Sequence, residues 1–184
     1  MRSRVVSDDV RQYGSRSEHE VRSTLLELTR DFVLAAGRVA GVQRIAMLGS
    51  LLTDKPRPKD TDVLVTVGDD VDLSRLARLA RRLKGLTQSR LNSGADVFLA
   101  DSKGVYLGRI CSYRECHPRA LCRARHCSAV PHLNDDFDVV RLQPDLLAAP
   151  PLELHPAIVA RVTLPDDVRQ ILVASVAMVS HNDA

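Results

Sequence analysis

The sequence predicts an α/β (α+β) fold in which helices flank a sheet. Two stretches repeat their apolar residues at steps of three and four, the spacing of a helix with one buried face. Between and after them lie short runs rich in Val, Ile and Leu, the length and composition of buried strands. The chain has 184 residues, 45% hydrophobic and 27% charged, which suits one globular domain with a real core. That balance excludes a disordered chain, a collagen-like fibre and a coiled coil.

The elements follow in order. Ser17-Glu18-His19-Glu20 is a capping box, and Val21, Leu25, Leu28, Phe32, Ala36 and Val39 continue as an amphipathic helix ending near Gly41. Val42 to Leu48 is a strand stopped by Gly49-Ser50, and the next loop carries Pro56 and Pro58, which exclude a regular helix. Asp60 to Val67 is a buried strand with an acidic start. Leu73, Leu76, Ala80 and Leu83 mark a second helix, with Gly85 as its terminator and Arg75, Arg78 and Arg82 on a solvated face. Ala95 to Ala100 is a third strand, and the turn at Asp101-Ser102-Lys103-Gly104 leads into Val105 to Ile110 as a hairpin. A cysteine segment, a short apolar run from Phe137 to Leu142 and a proline-rich connection follow. A last helix starts near Pro165 on Val168, Ile171, Leu172, Val176 and Val179. Residues 17–110 form the expected core, and residues 111–184 a cysteine-rich segment and C-terminal extension packed on it.

No apolar stretch approaches the ~20 residues of a membrane span, and the first residues show no signal-peptide pattern. The expectation is a cytoplasmic protein without a membrane partner. Net charge is +3, too mild to argue for nucleic acid. Of the basic residues only Lys55, Lys59, Lys84 and Lys103 are lysine; this arginine bias reflects either composition or phosphate recognition. Aromatics are 3% with no Trp, which speaks against a base-stacking platform.

The chemistry-bearing stretch is Gly49-Ser50, nine residues, then Asp60-Thr61-Asp62. On a strand, residues i and i+2 share a face, so Asp60 and Asp62 project together. Two carboxylates held that close repel unless a cation lies between them. Oxygen ligands on a rigid element suit Mg²⁺, which completes its shell with water and substrate phosphates. Asp96 opens a separate strand in the same way, and three carboxylates on two strands could hold one or two Mg²⁺ ions. Glycine at 49 lets backbone approach a phosphate, and Ser50 adds a hydroxyl donor.

These residues resemble the nucleotidyltransferase superfamily of the polymerase-beta and kanamycin-nucleotidyltransferase type. Its signature is Gly-Gly or Gly-Ser, a gap of nine to thirteen residues, Asp-x-Asp or Asp-x-Glu, and a third acid on a later strand. The likeness covers roughly residues 20–110; Thr61 departs from it, standing where the family has an apolar residue. It implies a mixed sheet flanked by helices. It also implies that Asp60 and Asp62 bind Mg²⁺, that Asp96 helps activate an acceptor hydroxyl, and that Gly49 and Ser50 hold a nucleoside triphosphate such as ATP. The activity implied is transfer of a nucleoside monophosphate to a tRNA, a protein or a small molecule. Two alternatives stay open: an idle scaffold that works as a zinc-stapled binding module, and the toxin component of a toxin–antitoxin pair.

The cysteines are spaced Cys111-x4-Cys116-x5-Cys122-x4-Cys127, with His117 and His126 beside two of them. Four thiolates in two similar pairs can surround a structural Zn²⁺, with either histidine as an alternative ligand; free thiols or a redox pair are the other readings. Lys103, Arg109, Arg114, Arg119, Arg123 and Arg125 face only Glu115 in this part of the chain. They are either solvated or a phosphate-binding rim for the triphosphate or an RNA acceptor. Asn134-Asp135-Asp136 has no assigned role, and His132 and His155 are read as structural.

Overall fold

A computed structural model of the chain describes residues 17–112, 130–135 and 137–182. The first helix, α1 (Glu18–Ala36), opens with the expected capping box: Ser17 Oγ accepts from the Glu20 N–H, and Glu20 Oε2 accepts from the Ser17 N–H. Its buried stripe runs through Arg22, Leu25, Leu26, Thr29, Phe32, Val33 and Ala36. The helix stops at Ala36, short of Gly41, and the chain reaches the sheet through a turn. Strands β1 (Val42–Leu48) and β2 (Asp60–Val67) are antiparallel. Helix α2 (Leu73–Leu91) then crosses to β3 (Gly94–Asp101), which runs parallel to β2.

Strand β4 (Tyr106–Ile110) returns beside β3, and β5 (Leu133–Asn134) adds to that edge. On the other side β6 (Leu152–His155) pairs with β1, and β7 (Val159–Ala160) pairs with β6. The result is a mixed seven-stranded sheet in the order β5-β4-β3-β2-β1-β6-β7. Between β5 and β6 lies a short helix, α3 (Pro144–Ala148). A π-helical turn (Val168–Val173) and α4 (Ala174–Asn182) end the described chain.

The two sheet faces are covered unequally. Ile45, Met47, Val63, Val65, Val97 and Leu99 pack under α1, α2 and the π-helical turn in the larger core. Ala46, Leu48, Leu64, Phe98 and Ala100 face the other way and meet Leu147 of α3, with Val140, Leu142 and Leu146 beside it. Thr61 sits on the helix-covered face, fully buried, with its hydroxyl 2.9 Å from that of Thr29, which in turn donates to Leu25 O. The polar residue at 61 is therefore satisfied, and it ties α1 to β2.

One expectation is corrected here. Gly85 does not end α2, which continues to Leu91 and is capped by left-handed Asn92. Leu83, Leu86 and Thr87 continue its packed face, so packing outweighs the ~1 kcal/mol that a mid-helix glycine costs. The proline-rich connection holds α3, β6 and β7, with Pro144 at N1 of α3, Pro150 and Pro151 just before β6, and Pro156 just after it. The run from Phe137 to Leu142 is an irregular segment whose apolar residues lie over the second face of the sheet. Among the described residues no helix is long and apolar enough to cross a membrane.

Candidate active site

Strand directions gather the predicted residues at one end of the sheet. Because β1 is antiparallel to β2, its last residue, Leu48, pairs with Asp62 near the start of β2. Because β3 is parallel to β2, Asp96 lies directly beside Asp62, and Gly94 lies beside Asp60. The period-2 alternation puts Asp60, Asp62 and Asp96 on the face of Leu64 and Phe98, away from α1 and α2.

Gly49 closes this group. Its backbone has φ +77° and ψ −167°, a conformation essentially restricted to glycine. A Cβ built there would lie 2.3 Å from Asp62 Oδ2. The turn is therefore a close approach of backbone to carboxylate that no side chain permits. Ser50–Leu52 continues as one 3₁₀ turn, anchored by buried Leu51 and Leu52 and by Thr53 Oγ1 donating to Ser50 O at 2.7 Å.

The loop beyond is held by a residue that the sequence reading did not single out. Arg22, nearly buried on α1, donates to Thr53 O at 2.9 Å, to Lys55 O at 2.7 Å and to Leu51 O at 3.2 Å. It also forms a bidentate pair with Asp167, Nε to Oδ2 at 2.6 Å and Nη2 to Oδ1 at 3.0 Å. All five guanidinium donors are thereby engaged. One signal was present: Arg22 stands in phase with Leu25, Leu26 and Thr29, an arginine on the apolar stripe of its own helix. Its partner stands 145 residues away and left no trace in the spacing.

The electrostatics separate the two groups of charge. Asp62 is pushed up to about 6 by burial first, then by the charges of Asp60 and Asp96. Asp167 is held below the usual carboxylate range, chiefly by its hydrogen bond from Arg22. Asp96 has cations at hand: Lys84 Nζ lies 3.4 Å and Arg109 Nη1 3.5 Å from its Oδ1.

The donor set is all carboxylate, which suits a hard cation such as Mg²⁺, and the raised Asp62 marks a site where a positive charge would relieve repulsion. Among the described residues no three His, Cys, Asp or Glu side chains are grouped closely enough to hold a metal as they stand.

Of the cysteine segment only Cys111 lies within the described residues, buried at the end of β4. Its N–H donates to His132 O at 2.8 Å, and Arg81 donates to Cys111 O at 2.9 Å while facing His132 Nδ1 at 3.1 Å. Cys111 and His132 are thus held side by side. Burial, then Arg81 and Arg78, lowers the His132 pKa, in keeping with a ring nitrogen that accepts from a guanidinium. Burial likewise lowers His155. Cys116, Cys122, Cys127, His117 and His126 lie outside the described residues, as do Arg114, Arg119, Arg123, Arg125 and Asp136.

No protein-family model matches the chain, and no curated protein matches it. Among solved structures, a crystal structure of a "putative nucleotidyltransferase" from Sulfolobus solfataricus aligns with 53% of this chain and 92% of its own. The two are 15% identical, with a TM-score of 0.34. At that TM-score the likeness bears on neither fold nor function.

Proposed function

We propose that the protein is a Mg²⁺-dependent nucleotidyltransferase. The observation that carries this reading is the meeting of Gly49-Ser50 with Asp60, Asp62 and Asp96 at one sheet end, glycine backbone set directly against the Asp62 carboxylate. An oxygen of the acceptor attacks the α-phosphorus of a nucleoside triphosphate. The new oxygen–phosphorus bond replaces the bond to the β-phosphate, and pyrophosphate leaves. Asp60 and Asp62 would hold Mg²⁺, which would neutralise the charge that phosphate oxygens carry through the reaction. The turn at Gly49 and Ser50 orients the triphosphate chain. Asp96 takes the proton of the attacking hydroxyl; Lys84 and Arg109, 3.4 and 3.5 Å from its Oδ1, orient its carboxylate.

Those same two cations favour a second reading. A carboxylate engaged by Lys84 and Arg109 is less free to meet an acceptor hydroxyl, which fits a scaffold that binds nucleotide without turning it over. Incubation with α-labelled triphosphates, Mg²⁺ and cell extract separates the two. A macromolecule or small molecule that gains label supports transfer, whereas triphosphate binding with no labelled product from any extract supports the idle scaffold. For the cysteine segment we keep structural zinc as the proposal, tested by elemental analysis of protein purified without chelator. About one zinc per chain is expected; no zinc and four freely titratable thiols would remove it.

A further inference from the structure

Helix α2 carries a charge distribution that its place in the core does not explain. From Leu73 to Ala95 the chain has six cations, Arg75, Arg78, Arg81, Arg82, Lys84 and Arg90, and no acid. The remainder, with all 23 acids and the other 20 cations, is net negative. Arg75, Arg78 and Arg82 stand at steps of three and four along the outer face of the helix, all three exposed. Like charges at those steps repel. Arg75 also lies in the first turn, which holds no acid and where the helix dipole disfavours a cation. Lys84 is held by Asp96 and Arg81 by Cys111 O. The three outer arginines form no ion pair among the described residues; Arg78 donates to Ser74 Oγ at 2.9 Å. A shallow hollow of about 560 Å³ lies among them, lined by Arg78, Arg81, Arg82, Gly85 and Leu86. Packing does not call for glycine at 85, since a Cβ there would meet nothing within 4 Å. The missing side chain leaves the backbone open to approach.

We propose that the outer face of α2 docks a base-paired RNA through its phosphates. The proposal goes beyond the nucleotidyl-transfer reading and does not depend on it. Guanidinium forks match phosphate oxygens in pairs, and cations kept in a row at a cost to the helix fit a partner that supplies the opposite charge. A protein partner would need an apolar centre, and among the described residues no exposed large hydrophobic side chain lies on α2. A membrane surface would need the apolar stripe of the helix, which is buried through Leu76, Ala77, Ala80 and Leu83. A single strand would need aromatic rings to stack on, and α2 has none. Reading a B-form major groove, ~12 Å wide, takes one helix that stands clear of its neighbours; α2 lies in one layer with α1, packed against it. The wide, shallow minor groove of an A-form helix instead offers phosphates and 2′-hydroxyls to a flat surface.

The test is fluorescence anisotropy of an end-labelled RNA hairpin with a stem of about 16 base pairs, titrated with the full chain over a series of salt concentrations. The parent should bind it saturably, with affinity falling as salt rises. Arg75→Gln, Arg78→Gln and Arg82→Gln together should weaken binding at least ~10-fold and make the slope of log affinity against log salt shallower by about 2–3, one phosphate for each cation removed. The urea midpoint of this variant should be no lower than the parent's, because the change relieves repulsion. A control variant loses the same charge elsewhere: Arg30→Gln, Arg57→Gln and Arg169→Gln, arginines that pair with Asp31, Glu18 and Asp166. It should bind as the parent does. No binding by the parent overturns the proposal, as does a triple α2 variant that binds like the parent. Equal loss in both variants overturns it too, since net charge and not this face would then be the cause. A DNA duplex of the same sequence bound as tightly as the hairpin overturns the assignment to RNA. Each of these results leaves the nucleotidyl-transfer reading standing, because triphosphate binding by the parent is measured separately.

Discussion

Two charged groups flank the turn at Gly49, and they are built on opposite terms. Arg22 and Asp167 cancel each other, use all five guanidinium donors, and lower the Asp167 pKa. Asp60, Asp62 and Asp96 carry one sign of charge at neighbouring positions, and the Asp62 pKa rises. A buried pair that satisfies itself asks nothing of solvent or ligand; it fixes geometry. A set of like charges kept together at a cost in stability is what a fold retains when something else supplies the opposite charge. The contrast suits stapling in the first group and, on the proposed function, ligand binding at Asp60 and Asp62 in the second.

Substitutions can break that contrast from either side. The largest effect expected is on stability: Arg22→Ala leaves Asp167 and three loop carbonyls without their donor, a loss of ~3–5 kcal/mol for a broken buried pair, read from urea denaturation midpoints. Arg22→Lys should recover only part of this, because an ammonium has three donors and lacks the planar fork. Next comes Gly49→Ala, which meets Asp62 Oδ2 and forbidden backbone together. Strain of ~1–3 kcal/mol should be accompanied by displacement of the Asp62 carboxylate, read as weaker Mg²⁺-triphosphate binding by calorimetry. Asp96→Asn should leave that binding nearly intact and remove turnover, which labelled-triphosphate assays measure directly.

The smallest effect has a sign set by pH. The carboxyl of Asp62 titrates near 6 when folded and near 4 when unfolded. Between those values the native state holds a proton that the unfolded state has released, so stability falls as pH rises from about 4 to 6 and is level above. Asp62→Asn removes that loss. Without Mg²⁺ the variant should melt higher than the parent at pH 7, by roughly 2–4 °C for ~1 kcal/mol after solvent screening, and show no advantage at pH 4. Asp167 runs the other way: its contribution is present at neutral pH and is lost as pH falls below about 4.

What could be read in advance follows from the range of the interactions. The capping box of α1, the period-2 placement of Asp60 with Asp62 and the need for glycine at 49 are local, and local spacing carries them. The ends of helices were less legible: Gly85 signals a stop that Leu86 and Thr87 override by packing. Strands β6 and β7 were not legible, because each is short and lies among prolines, and their pairing depends on an edge that β1 supplies from a hundred residues earlier. The clamp at Arg22 belongs to that long-range part, so half of the candidate site, the acids and the glycine turn, could be read from the sequence and the other half could not.

The central claim is that the three aspartates are gathered for a cation and a triphosphate. Calorimetric titration of Mg²⁺ with a non-hydrolysable nucleoside triphosphate, into the parent and into Asp60→Asn and Asp62→Asn, tests it most directly. Saturable, Mg²⁺-dependent binding to the parent and its loss, by ~10²-fold or more, in both variants with their folds intact is the predicted result. Binding to both variants as tight as to the parent would contradict it.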